Sequence, residues 1–356
     1  MNKPTSVFLD GLRIAAAFGV FFGHCSSPWF SPYFKFFPDI GHECVVIFFV
    51  LSGYVISSAT LSKPGGLEDY AMARLARLYS VVAPAICLTE VLRYFGTRIN
   101  PAFYAAFDRG HEWMRALSSM FFLQETWFVS TSPPTNGPMW SLGYEFWYYV
   151  LFGIAVFIRP LRWKLPTLLV AAAVMGPKLL LLFPVWVLGA AGFVAGWRLR
   201  LPRFAAVVGL CGSSVLTVFL IASGWRVPNK MDLTRLCYSS FFLSDFALGA
   251  AVCATIFFFS QTFHASAVPR MVEKWVRRPA QVTFSVYLYH FPILLFCAAA
   301  FDVPRRSLIE VSVIIAGALA FIWLMSSVTE ERKNQVRAWL LRLRQMFQKP
   351  SGSTVS

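Results

Sequence analysis

Arg13 and His24 stand in the stretch LDGLRIAAAFGVFFGHCSS, which is otherwise apolar enough for lipid. Eleven positions at about 100° each leave them about 20° apart on one helix face and about 16 Å apart along its axis. One end of that face is a fixed cation, and the other is an imidazole able to exchange a proton near neutral pH. Alone, each has a plain reading, a snorkelling arginine or a core histidine with one hydrogen bond; as a pair on one face they favour function. The segment PTNGPMWSLGYEFWYYV adds Glu145, two turns into an apolar run behind Trp140, Ser141 and Tyr144. A carboxylate at that depth must be protonated or paired, which makes it a partner for an imidazole or a substrate hydroxyl.

Arg74 and Arg77 in YAMARLARLYS lie one helical turn apart. Two adjacent guanidinium groups suit phosphate, and ordinary positive-inside bias explains them equally well. His290 in TFSVYLYHFPILL follows Tyr287 by three residues and precedes a proline that frees a backbone carbonyl. Structural and functional roles are balanced there. Asp245 in SFFLSDFALG is expected to make a helix-to-helix hydrogen bond. Glu43 and Glu90 fall near span ends, and no metal is expected.

These residues need a membrane scaffold to position them. Of the 356 residues 57% are hydrophobic and 14% charged, with a mean hydropathy of +0.59, outside the range of ordinary soluble domains. About ten apolar stretches approach the length of a bilayer span, near 12–29, 43–61, 79–96, 139–158, 167–183, 185–199, 204–224, 237–259, 280–301 and 308–328. The pair around Pro184 also reads as one broken helix. The predicted fold is an all-α integral membrane bundle, residues 1–330, with both termini cytoplasmic. The net charge of +15 does not point to nucleic acid, because 21 of the 32 lysines and arginines fall on the side assigned to the cytoplasm, as topology requires.

The first span opens with Asp10 and Arg13 and lacks a small-residue cleavage site, so it reads as a retained helix. No soluble domain is expected at either end. Residues 331–356 read as a basic cytoplasmic tail, partly disordered, whose stretch from Glu330 to Lys349 suits an amphipathic helix on an anionic leaflet or a solvated tail. The outer loop from about 97 to 138 is expected to cap an outward-facing cavity, with SSMFFLQETWF lying at the interface or dipping back into it. The odd cysteine count decides nothing about compartment. Cys25 and Cys44 are read as two free thiols in preference to a pair.

In their order along the chain, LDGLR with Arg13 and His24, FFVLSGYVIS at 48–57, the Arg74–Arg77 pair, Trp140-Ser141-Leu142 with Glu145, and FSVYLYHFPI at 284–293 resemble the motifs of the membrane-bound acyltransferase-3 family. That family O-acylates sugars of bacterial surface polysaccharides and related molecules. One departure is local: the proline that often follows the arginine pair comes only at Pro84. The resemblance implies acyl transfer from cytoplasmic acyl-CoA, with acetyl-CoA first, to a glycan or lipid-linked sugar, by a multi-pass protein of the inner membrane. Arg13, Arg74 and Arg77 would hold the donor's phosphates. His24 would be the general base, Glu145 would orient it or bind the hydroxyl, and Trp140, Ser141, Tyr287 and His290 would meet substrate. An acyl-histidine intermediate is the variant mechanism. A competing expectation is a proton-coupled transporter or flippase using His24, Glu145 and His290 as a relay, although no inverted repeat of broken helices stands out. A non-catalytic scaffold fits least, because the charged position of every matched motif is intact.

Overall fold

The computed structural model describes residues 1–62, 65–226, 234–264 and 266–348, and among them every regular element is helical. Lys63 and residues 349–356, counted above as inward charge and tail, lie outside the described residues. The helices are α1 (Lys3–Cys25), α2 (Gly41–Leu61), α3 (Leu67–Ile99), α4 (Pro101–Ala105), α5 (Glu112–Met120), α6 (Trp140–Phe157) and α7 (Leu161–Arg198), followed by α8 (Arg203–Ala222), α9 (Phe242–Thr262), α10 (Arg270–Ala280), α11 (Thr283–Phe301), α12 (Leu308–Val328) and α13 (Lys333–Gln348). α1 starts where it does because the Asn2 side chain accepts from Thr5 N–H at 3.0 Å and Pro4 fits the first turn.

Among the described residues eight helical stretches are long and apolar enough to cross a bilayer: α1, α2, α3, α7, α8, α11, Arg235–Thr262 and Leu308–Arg342. α6 is not among them, since Glu145 and three tyrosines lower its hydropathy, and it packs against α7 instead. Exposed apolar side chains such as Phe204, Val215, Ile309 and Val313 run down α8 and α12. They form the lipid-facing surface of a bundle that keeps its polar groups inside.

As a straight rod α7 would measure about 57 Å, nearly twice a hydrocarbon core. It is broken, at Gly176 and not at Pro184. Gly176 has φ 74° and ψ −179°, open to glycine and strained for other residues, whereas a proline inside a helix keeps a helical φ and gives up one hydrogen bond. Trp127 fills the break: its backbone N–H donates to Met175 O at 2.9 Å and its indole to Ala173 O at 2.8 Å. Beside it, Lys178 Nζ meets Glu125 Oε2 at 2.7 Å, with both side chains fully buried. Ser130 and Ser132 also donate to Glu125, at 2.8 and 3.2 Å. The outer loop is thus pinned to α7. Phe121, Trp127 and Phe128 remain exposed, as an interfacial stretch should, but Phe122, Gln124 and Glu125 turn inward.

α2 and α7 approach closely at two glycines. A Cβ on Gly53 would lie 2.0 Å from the Trp186 carbonyl oxygen, and one on Gly189 2.0 Å from that of Val50. Small residues permit such crossings in membranes. This one brings the Trp186 indole N–H to Ser52 Oγ at 3.2 Å.

α10 clamps the start of α1. Arg277 reaches Asp10 at 3.2 Å, while Lys3 and Arg277 bind Glu273 at 2.6 and 3.0 Å and hold its carboxyl below the usual range. Cys25 and Cys44 are buried free thiols. The basic amphipathic segment is helical, as α13, but it lies against α3 and not free on a leaflet. Arg337 pairs with Asp69 at 3.0 Å, and Arg344 pairs with Glu68.

Candidate active site

α1, α2, α3, α6, α11 and α13 enclose a cavity of about 370 Å³, within the range of small-molecule sites. Ser141, Glu145 and Tyr149 succeed one another every four residues, so one stripe of α6 faces it. α1 contributes Arg13, α3 contributes Arg74 and Arg77, α2 contributes Ser52, α11 contributes Tyr287, and α13 contributes Lys333 and Arg337. Among the described residues five cations and a single carboxylate therefore share the wall.

Glu145 Oε1 accepts from Ser52 Oγ at 3.1 Å and from the Tyr149 hydroxyl. Its partners are thus hydroxyls of the cavity wall and not His24. The guanidinium of Arg74 lies 6.0 Å from the Tyr149 ring and that of Arg77 lies 5.6 Å from the Phe284 ring. Arg13 leans back to Asp10 at 3.1 Å. Arg74 Nε and Arg337 Nε are buried without a hydrogen-bond partner among the described residues. Buried donors of this kind are costly unless a ligand completes them.

The inner end of the cavity is a polar knot. The Tyr287 hydroxyl donates to Pro138 O at 2.9 Å and lies 2.8 Å from Ser141 Oγ, which can donate to it. Beyond it, one turn along α11, is His290, whose ring centre lies 6.4 Å from that of Tyr287. His290 Nδ1 is 2.8 Å from Val286 O, and its Nε2 is 3.0 Å from His24 Nδ1, itself 3.0 Å from Val20 O. The carbonyls fix the tautomers: His290 Nδ1–H donates to Val286 O, which leaves a lone pair on its Nε2, and the single His24 Nδ1–H is shared between Val20 O and that lone pair. His24 is left with its Nε2 lone pair available. The His24 ring is half-buried and meets the edge of Phe291 at 4.9 Å between centres.

Six sequence-predicted residues therefore line one cavity: Arg13, Arg74, Arg77, Ser141, Glu145 and Tyr287. His24 and His290 are paired beyond its inner end and do not line it. Trp140 is elsewhere, stacked 4.1 Å on Tyr238 and 6.0 Å from His42. His42 supplies the partner of Asp245, at 2.9 Å, the interhelix bond expected of that aspartate. Nor does any residue of the outer loop line the cavity. Ser52, Tyr149, Lys333 and Arg337 escaped the sequence reading, although Tyr149 follows Glu145 by one turn and Arg337 follows Lys333 by one turn. Among the described residues no cluster is suited to a metal ion.

A family model described as an acyltransferase domain matches residues 6–327. An O-acetyl transferase of Shigella phage Sf6 is 25% identical over 301 residues, 80% of this chain and 83% of its own length. O-acetyltransferase OatA of Staphylococcus aureus strain NCTC 8325 / PS 47 is 24% identical over 328 residues, 81% of this chain and 50% of its own; the chain spans about half the length of that relative. No solved structure matches the chain. With the family model covering nearly all of the helical bundle and six of the motif residues lining one cavity, the chain belongs to the acyltransferase-3 family of membrane acyltransferases.

Proposed function

We propose that this protein is an O-acetyltransferase that takes an acetyl group from cytoplasmic acetyl-CoA and passes it to a sugar hydroxyl of a surface polysaccharide or lipid-linked glycan. The reading includes ten crossings of the inner membrane, with α6 and the two halves of α7 counted separately, and both termini cytoplasmic. The observation that carries it is the cationic cavity holding Arg13, Arg74 and Arg77 on one side of the Tyr287 knot, with a histidine of fixed tautomer on the other. Phosphates rest among the guanidiniums, and the pantetheine arm runs inward past Glu145. That carboxylate, already accepting from Ser52 and Tyr149, has capacity left for an amide N–H of the arm.

His24 Nε2 then removes the proton of an acceptor hydroxyl as that oxygen attacks the thioester carbonyl carbon. The carbon–sulfur bond breaks, the CoA thiolate leaves, and the imidazolium returns the proton to sulfur. The products are the acetyl ester and CoA. Because a thioester is already reactive, alignment and one proton transfer suffice. His290 acts as a positioning residue, its Nε2 holding the His24 Nδ1–H as the ring charges.

His290→Leu is expected to lower kcat by about tenfold to a hundredfold, the effect of a weakened base whose imidazolium keeps Val20 O but loses the His290 acceptor at Nδ1, with donor KM changed less than twofold. His290→Gln, whose amide oxygen can accept the same proton, should recover part of that loss. Equal kcat for the leucine variant and wild type would remove His290 from the mechanism.

The donor half is tested by Arg77→Gln, assayed by transfer of labelled acetate in membranes at equal expression. Loss of one charge-assisted phosphate contact, about 1.5 to 3 kcal/mol, should raise the acetyl-CoA KM by about ten- to a hundredfold and leave acceptor KM in place. An unchanged donor KM would contradict the assignment.

A further inference from the structure

α13 is held over the mouth of the cavity, and its two wall residues are cations one turn apart, Lys333 and Arg337. The buried Glu330 carboxylate, three residues before Lys333, offsets part of the charge of Lys333, Arg77 and Arg13, and Asp69 offsets part of that of Arg337, which leaves the five wall cations in excess among the described residues. Arg337 uses Nη2 on Asp69 at 3.0 Å, but its Nε is buried and unpartnered, and Lys333 has no ion-pair partner within 4.0 Å among the described residues. Facing them across the same cavity are Arg13, Arg74 and Arg77. A single phosphate does not require five cations on three helices; a ligand with two separated phosphoryl groups does. The Arg337 side chain is 40% exposed and that of Arg13 is 20% exposed, which places the α13 pair nearer the mouth.

Resting on the donor reading above, we propose that Lys333 and Arg337 form a second phosphate subsite, which takes the ribose 3′-phosphate of the CoA nucleotide. Arg13, Arg74 and Arg77 take its pyrophosphate. The order follows from connectivity. The pantetheine arm must go deepest to approach His24, the pyrophosphate joins it next, and the ribose phosphate remains outermost. α13 is then part of the binding site, and the lost docking of this helix would open the cavity. Lipid phosphates carry the same chemistry, so binding is measured in nanodiscs of phosphatidylcholine alone, where a lipid contribution is equal for every ligand.

The experiment compares CoA with 3′-dephospho-CoA as competitors of acetyl-CoA binding to the full chain. Wild type should bind CoA at least tenfold more tightly than the dephospho form. In Lys333→Gln/Arg337→Gln that ratio should fall to within twofold of one, through weaker binding of CoA. Because Arg337 also ties α13 to α3, Lys333→Gln alone supplies a variant that keeps the Asp69 pairing; it should lose part of the discrimination. Wild type that binds CoA without distinguishing the two ligands, or a double variant that keeps the wild-type ratio, overturns the α13 subsite and leaves the donor reading standing. Wild type that binds neither ligand overturns both.

Discussion

His24→Ala should lower the rate of acyl transfer by about 10²- to 10⁴-fold, the range a positioned general base supplies, or about 2.7 to 5.4 kcal/mol of transition-state stabilisation. Donor KM should change little, because the cations and hydroxyls of the cavity wall are untouched. The prediction rests on a chain of acceptors and donors. Val286 O takes the His290 Nδ1 proton, Val20 O and His290 Nε2 share the His24 Nδ1 proton, and His24 Nε2 remains as the basic atom. A variant that binds acetyl-CoA normally yet fails to transfer separates base from binding site, and the check is initial rates with labelled acetyl-CoA at matched expression. Near-normal transfer by the alanine variant would move the base elsewhere in the bundle.

Lys178→Ala should destabilise the protein by about 3 to 5 kcal/mol, since it leaves the Glu125 carboxylate buried and unpaired. Lys178 also donates to Val129 O at 2.5 Å, so the loop that fills the Gly176 break loses two anchors. The damage should ease in acid. Burial already pushes the Glu125 carboxyl up against the pull of Lys178 and the two serines, and without Lys178 it rises further. A carboxyl whose folded pKa lies above its unfolded one gains relative stability as pH falls through the folded value. The penalty should therefore be full above that value and shrink below it. Glu125→Gln combined with Lys178→Met should restore most of the loss, because a neutral pair carries no desolvated charge. Thermal unfolding of purified protein in detergent at several pH values measures all three. A Lys178→Ala midpoint equal to wild type across that range would show the ion pair to be stabilising nothing.

What could be read in advance followed from the cost of polarity in lipid. Arg13, His24, Glu145 and His290 stand out because an apolar helix has little reason to carry them, and helical periodicity alone puts Arg13 and His24 on one face. Arg74 and Arg77 stand out by their spacing of one turn, Ser141 and Tyr287 through motif resemblance, and all four line the cavity. Pairing was harder, because it depends on which helices touch. The His24–His290 bond joins residues 266 positions apart and the His42–Asp245 bond residues 203 apart, and no local pattern encodes either. Glu145 illustrates the same limit: its depth and its neighbour Tyr149, one turn on, are local, but its partner Ser52 depends on the α2–α6 approach. α7 carries prolines at 166, 177 and 184, so proline alone does not locate its break, and the positive φ of Gly176 against Trp127 does. α13 was legible as a basic amphipathic helix, yet that pattern reads identically for a leaflet surface and for a docked helix. Asp69 and Glu68 on α3 decide between them.

The central claim is that an acyl donor held by the arginines reaches the histidine pair past the Tyr287 knot. Its most direct test is cross-linking mass spectrometry with an acyl-CoA analogue carrying a small photoreactive group on the acyl end. Label should fall on α1 and α11 near His24 and His290, be removed by excess CoA, and disappear in Arg77→Gln at limiting probe. Label on other helices, or label that CoA does not compete away, would contradict the account.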